Sequence, residues 1–182
     1  LGSSYSQVIP QIEHYLPLYL SNYKKVVCFE YPQFRKLFQI ITNKLPLIEN
    51  INNNLIIYHS FGIFPFGRTI SLINFINHSI NYLFLKFILG RNHHANTIIT
   101  FTPELSLLIP FFSHIRIIYH VLDNYASLPW WDNFFSKKQY IFLEKKLLKN
   151  TFKMITASKS LITKYRQNNL NISLFQTPGN IE

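Results

Sequence analysis

A chain of 182 residues has the length of a single domain, with enough material to bury roughly two-thirds of the surface its unfolded form exposes. Apolar residues at 48% and charged residues at only 14% exclude an intrinsically disordered polypeptide. A balance of 18 Lys and Arg against 8 Asp and Glu gives +10 and favours anionic partners, yet the basic residues are scattered and no nucleic-acid motif accompanies them, which argues against nucleic acid.

In chain order, "VIPQIEHYLPLYLSN" (Val8–Asn22) reads as a helix bent near Pro17. "KVVCFEY" (Lys25–Tyr31), closed by Pro32, is a strand. Its Cys28 is the single cysteine; it cannot form an internal disulfide and fits a reducing compartment. A polar stretch runs through Asn54, and after it come a second strand, Leu55–Ser60, and a Gly- and Pro-containing loop, "FGIFPFGR".

The segment Ile70–Gly90 has the length of a membrane-spanning helix. Ser71, Asn74, Asn77, His78 and Asn81 recur at helical spacing, opposed by Ile73, Ile76, Ile80, Leu83 and Phe87. This pattern predicts an amphipathic helix with its apolar row on a core or on a lipid surface, rather than a span.

The third strand is Asn96–Thr102, then a short helix "PELSLLIPFF" with Pro103 at its first position, and a fourth strand, Ile115–Val121. After Trp130 and Trp131, Ser136–Asn150 reads as a helix with Ser136 as N-cap. Phe152–Ser158 is a fifth strand, Ser158 caps the helix "KSLITKYRQ", and Ile172–Phe175 is a sixth strand. Strands alternating with helices, each strand apolar nearly throughout, predict an α/β class: a Rossmann-like, doubly wound, mainly parallel sheet over residues 1–182. The opening "LGSSYSQ" has the small, flexible residues of a loop placed after a first strand, so the sheet is expected to lack that member.

Ligands of such sheets bind beyond the carboxyl ends of the strands, which puts weight on Asp123, just past the strand "IRIIYHV". Two readings stay open, because Asp also starts turns and "DNYASLP" is a turn sequence. The first residues show neither a basic leader nor an apolar signal core, which points to the cytoplasm.

Four stretches together resemble a known family: "GSSYSQVIPQIEHYL", "VVCFEYP", "FPFGR" before a long helix, and "IIYHVLDNYASLP" continuing through "LEKKLL" and "MITASKSLITKY" to "TPGNIE". They are similar to the N-terminal, acceptor-side domain of GT-B glycosyltransferases, among the bacterial group 1 enzymes that build surface polysaccharides. The sequence departs from that pattern at Asn124, where the family has a second acid, at Asn150-Thr151, and at the junction Pro178–Glu182.

The resemblance implies transfer of a sugar from a nucleotide-sugar donor to a surface-polysaccharide or lipid-linked acceptor at the inner face of the membrane. No cofactor is expected in this chain. The donor belongs to a C-terminal Rossmann-like half, absent here and supplied in cis or in trans. Asp123 is the implied catalytic base; His120 and Asn124 beside it, Gly2, Ser3 and Ser4 before the first helix, and Arg68 are the implied substrate-binding residues. Glu144 matches a Glu-bearing helix of the family and reads equally as part of a solvated face. His93-His94 lack companion ligands, so no metal site is expected. Trp130, Trp131, Phe134 and Phe135 form a candidate aromatic rim for lipid headgroups. The rival expectation is a truncated or degenerate module that binds a partner protein or an anionic membrane surface without turnover.

Overall fold

The computed structural model describes residues 12–67, 70–90, 95–112, 114–124, 134–166 and 171–175. It shows a mixed α/β architecture with a four-stranded parallel sheet, consistent with a Rossmann-like fold. The strands pair as two sheets rather than the one that their pattern predicts. The chain divides into two compact units, Leu1–Gly67 with Leu72–Arg91, and Arg68–Ser71 with Asn92–Glu182.

The first unit carries α1 (Ile12–Ser21), β1 (Val26–Phe29), α2 (Phe34–Ile41), β2 (Ile48–Asn52), β3 (Leu55–Tyr58) and α3 (Ser71–Leu89). β1 and β3 run parallel with Val26 opposite Leu55 and Phe29 opposite Tyr58. β2 folds back antiparallel on the outer edge of β3. Both α2 and β2 lie within the stretch that reads as merely polar. A turn at Asn53-Asn54 makes the hairpin, with Asn52 Oδ1 accepting from the Asn54 backbone N–H at 2.8 Å. Asn54 Nδ2 donates to the Ser21 carbonyl at 2.9 Å and ties that hairpin to the end of α1. Leu55, Ile57 and Tyr58 are fully buried.

α3 overturns one of the two expectations for its apolar row, that it packs on a core. Its polar row, Asn74, Asn77, His78 and Asn81, is the buried one, while Leu83 and Phe87 from the opposed row are exposed. The reason lies in the loop before it. Asn77 Oδ1 accepts from the backbone N–H groups of Ile63 (2.9 Å) and Phe64 (3.1 Å), and its Nδ2 donates to the Phe64 carbonyl (2.9 Å). Asn81 Oδ1 accepts from the Phe61 N–H at 2.9 Å, and Asn74 Oδ1 accepts from the Tyr31 hydroxyl at 3.3 Å. An irregular loop has no ladder to satisfy its main chain, and an amide side chain supplies both donor and acceptor. That requirement outweighs burial of the apolar row. Gly62 is also needed: a Cβ there would stand 2.9 Å from the Phe34 backbone nitrogen.

The second unit is the four-stranded sheet in the order β4 (Thr97–Thr100), β5 (Arg116–Val121), β6 (Lys153–Thr156), β7 (Ile172–Leu174), all parallel. The "PELSLLIPFF" segment forms two 3-10 turns, Pro103–Leu107 and Ile109–Phe111, because Pro110 interrupts any longer run. α4 (Phe134–Leu148) begins two residues before the Ser136 expected to cap it. Ser158 does cap α5 (Lys159–Tyr165), accepting from the Leu161 N–H at 3.4 Å. Ile117, Tyr119 and Val121 share one face of β5 and pack with Leu147, Leu148, Met154, Leu161 and Tyr165 as the core.

Candidate functional site

The carboxyl ends of β4 to β7 all point one way, and Asp123 sits two residues past the end of β5, exposed. Its Oδ1 accepts from the Asn124 backbone N–H at 2.6 Å. One oxygen thus starts the turn, and the residue stands open to solvent. The Asn124 side chain is held from across the rim, its Oδ1 accepting from Lys164 Nζ at 2.6 Å.

Lys164 leads inward. Its ammonium also donates to the Tyr165 hydroxyl at 3.0 Å and lies 4.6 Å from that ring's centre. The Tyr165 hydroxyl donates to Glu144 Oε1 at 2.7 Å, and the same oxygen receives the hydroxyl of Tyr119 at 3.1 Å. Tyr140 approaches it at 3.5 Å. Glu144 is buried, not part of a solvated face. Burial, together with the neighbouring Glu144 carboxylate, pushes the phenols of Tyr119 and Tyr165 well above their usual range, so they remain donors. Asp123 and Asn124 thus sit on a network anchored in the core.

His120 stands apart from this network. Only 2% exposed, it projects from the opposite face of β5 to Tyr119 and Val121. The ring lies 5.3 Å from that of Phe101 and 6.2 Å from that of Phe175, and among the described residues neither nitrogen has a hydrogen-bond partner. Burial lowers its pKa and keeps the ring neutral. Gly2, Ser3, Ser4, Arg68, His93-His94 and the tryptophan pair lie outside the described residues, as do the side chains of Phe134 and Phe135. Among the described residues no group of three His, Cys, Asp or Glu side chains is arranged to hold a metal ion.

No protein-family model matches the chain, and no curated protein matches it.

A second charged group, unforeseen from sequence, occupies the first unit. Glu30 follows β1 and His59 follows β3, so the parallel pairing brings them together. His59 Nδ1 lies 2.7 Å from Glu30 Oε2, and its Nε2 lies 3.1 Å from Glu49 Oε2. The buried Lys36 ammonium pairs with Glu30 Oε2. Hydrogen bonding to Glu30 raises the His59 pKa against the opposing effect of burial. Burial alone would raise Glu30, but the bonds from His59 and Lys36 hold it below the usual carboxylate range. Both imidazole nitrogens are engaged, so this ring has no lone pair to offer a substrate. Its chemistry is that of a four-group lock of Lys36, Glu30, His59 and Glu49.

Nearby Cys28 is half-buried, and burial with the Glu30 charge pushes its thiol up to about 12. That leaves it protonated and unreactive at neutral pH. A pocket of about 380 Å³, lined by Asn96, Thr97, His114 and Arg116, opens at the amino ends of β4 and β5. It lies at the opposite strand ends from Asp123, so it does not serve that carboxylate.

Proposed function

We propose that this chain is the acceptor-binding half of a GT-B glycosyltransferase, moving a sugar from a nucleotide-sugar donor to a surface-polysaccharide or lipid-linked acceptor. The observation that supports this most is the exposed Asp123 carboxylate at the ligand-binding end of a parallel sheet, with Asn124 held beside it by Lys164. In this reading an acceptor hydroxyl bonds to the open carboxylate. Its proton passes to Asp123 as the oxygen attacks the anomeric carbon and the nucleotide diphosphate departs. Asn124 and Lys164 orient the acceptor. The donor is bound by a second Rossmann-like half, in cis or in trans, and neither step calls for a metal in this chain.

The test is turnover of the gene product, joined by its partner half, with a panel of nucleotide sugars. Asp123→Asn is expected to lower turnover by roughly 100-fold or more with an unchanged circular-dichroism spectrum. Turnover equal to the parent's would remove Asp123 from the reaction.

A further inference from the structure

The exposed row of α3 is a surface that the sugar-transfer reading does not use. The helix has 19 residues, about 28 Å of length, and is long and apolar enough by composition to cross a membrane. Its inward row is committed, because Asn74, Asn77 and Asn81 hold Tyr31 and the main chain of Phe61 to Phe64. Rotating the helix, or withdrawing it into a bilayer as a span, would strip those groups of their partners. The outward row is equally defined: Leu72 is 66% exposed, Leu83 56% and Phe87 86%, with Phe75 beside them. Water is a poor partner for such a stripe.

Charge selects what covers it. α3 contains no acidic residue, and Lys86 stands next to Phe87 at its end. Among the described residues of the first unit, the exposed charged side chains are Lys24, Lys25, Arg35, Lys44 and Lys86 against Glu49 alone. A second copy of a chain carrying +10 would bring like charges together across any symmetric contact. An anionic lipid surface instead receives both the apolar row and the Lys86 ammonium beside it.

We infer that α3 lies in the plane of an anionic bilayer, with Leu72, Leu83 and Phe87 among the acyl chains and Lys86 at the headgroups. The helix is thus a peripheral anchor, its polar row remaining bound to its own loop. This does not depend on sugar transfer and survives if that reading fails.

The full chain should co-sediment with vesicles of mixed phosphatidylglycerol and phosphatidylcholine, and far less with phosphatidylcholine alone. Leu83→Ser with Phe87→Ser should weaken that binding about tenfold or more, and Lys86→Glu by about fivefold or more. Both variants alter exposed positions, and circular dichroism checks that they fold. Sedimentation of both variants equal to the parent's overturns the inference. So does light scattering that shows a dimer dissociated by the paired serines, with no preference for anionic vesicles.

Discussion

The Tyr165 hydroxyl lies 2.7 Å from Glu144 Oε1, so a side chain of α5 is bonded to one of α4 beneath the rim that carries Asp123. The neighbouring residue, Lys164, reaches Asn124 on the rim itself. Tyr165→Phe removes one donor from a buried carboxylate and is expected to cost about 2 kcal/mol in urea denaturation. Glu144→Leu should cost more than Tyr165→Phe, since it removes the one oxygen that all three phenols share. An equal or smaller loss would show that the carboxylate is not the centre of this network.

Asn77→Leu discriminates between the two orientations of α3. Were the apolar row the core, an added leucine opposite it would be tolerated at the surface. With Asn77 holding two loop N–H groups and one carbonyl, the same change should destabilise the protein by about 3 kcal/mol. Chemical denaturation of the single variant checks this.

His59 and Glu30 give a pH-dependent difference. Bonding to Glu30 raises the folded pKa of His59 above its usual 6.5, so its contribution is full below pH 6.5 and fades as pH rises through the folded value. Glu30, held below its usual 4.5, contributes fully above pH 4.5 and fades as pH falls through its folded value. The stability lost in His59→Gln should therefore be greatest between pH 4.5 and 6.5, about 2 kcal/mol, and shrink on the alkaline side. Denaturation of parent and variant across that range supplies the comparison; a loss that grows towards alkaline pH would contradict the pairing.

His78 acts with the opposite sign. Burial between Phe29 and Tyr31 pushes its pKa down to about 4, and neither ring nitrogen has a partner among the described residues. The unfolded chain takes up a proton there below pH 6.5 while the folded one resists until about 4. Parent stability relative to His78→Leu should fall as pH drops through that window, and the variant should be the more acid-resistant. The midpoint difference at two pH values suffices to decide it.

Cys28 should react with a thiol reagent only as the first unit opens. Its thiol, raised to about 12, offers almost no thiolate at neutral pH. Labelling is expected to track the unfolding curve in denaturant; rapid labelling of the native protein would show that β1 is not packed as described.

Much of this architecture is legible in the residue pattern. The runs Val26–Phe29, Leu55–Tyr58 and Arg116–Val121 announce strands because β-branched residues bounded by Pro, Gly and Asn leave few alternatives. Ser158 before an apolar-periodic stretch announces a helix start. α2 escapes because Phe34, Phe38 and Ile41 are separated by Arg35, Lys36 and Gln39 and face outward, so the segment reads as a polar stretch. The face of α3 escapes for a different reason: side-chain polarity alone takes no account of the main-chain groups of a loop that only the fold brings near. At the candidate site, Asp123 is marked by its place after a strand, a local cue. Lys164 and the burial of Glu144 are not, since 40 positions separate Lys164 from Asn124 and no short-range signal joins them.

The grip of Asn77 and Asn81 on the segment from Phe61 to Phe64 closes on peptide groups rather than on side chains. Gly62 apart, those loop letters are therefore free to drift over evolutionary time, whereas the number of residues in the loop is not. One inserted residue would move three amides out of reach of two clamps at once. Related chains should show a stretch here that is variable in spelling and fixed in count, with its constancy displaced onto a helix a dozen or more positions downstream.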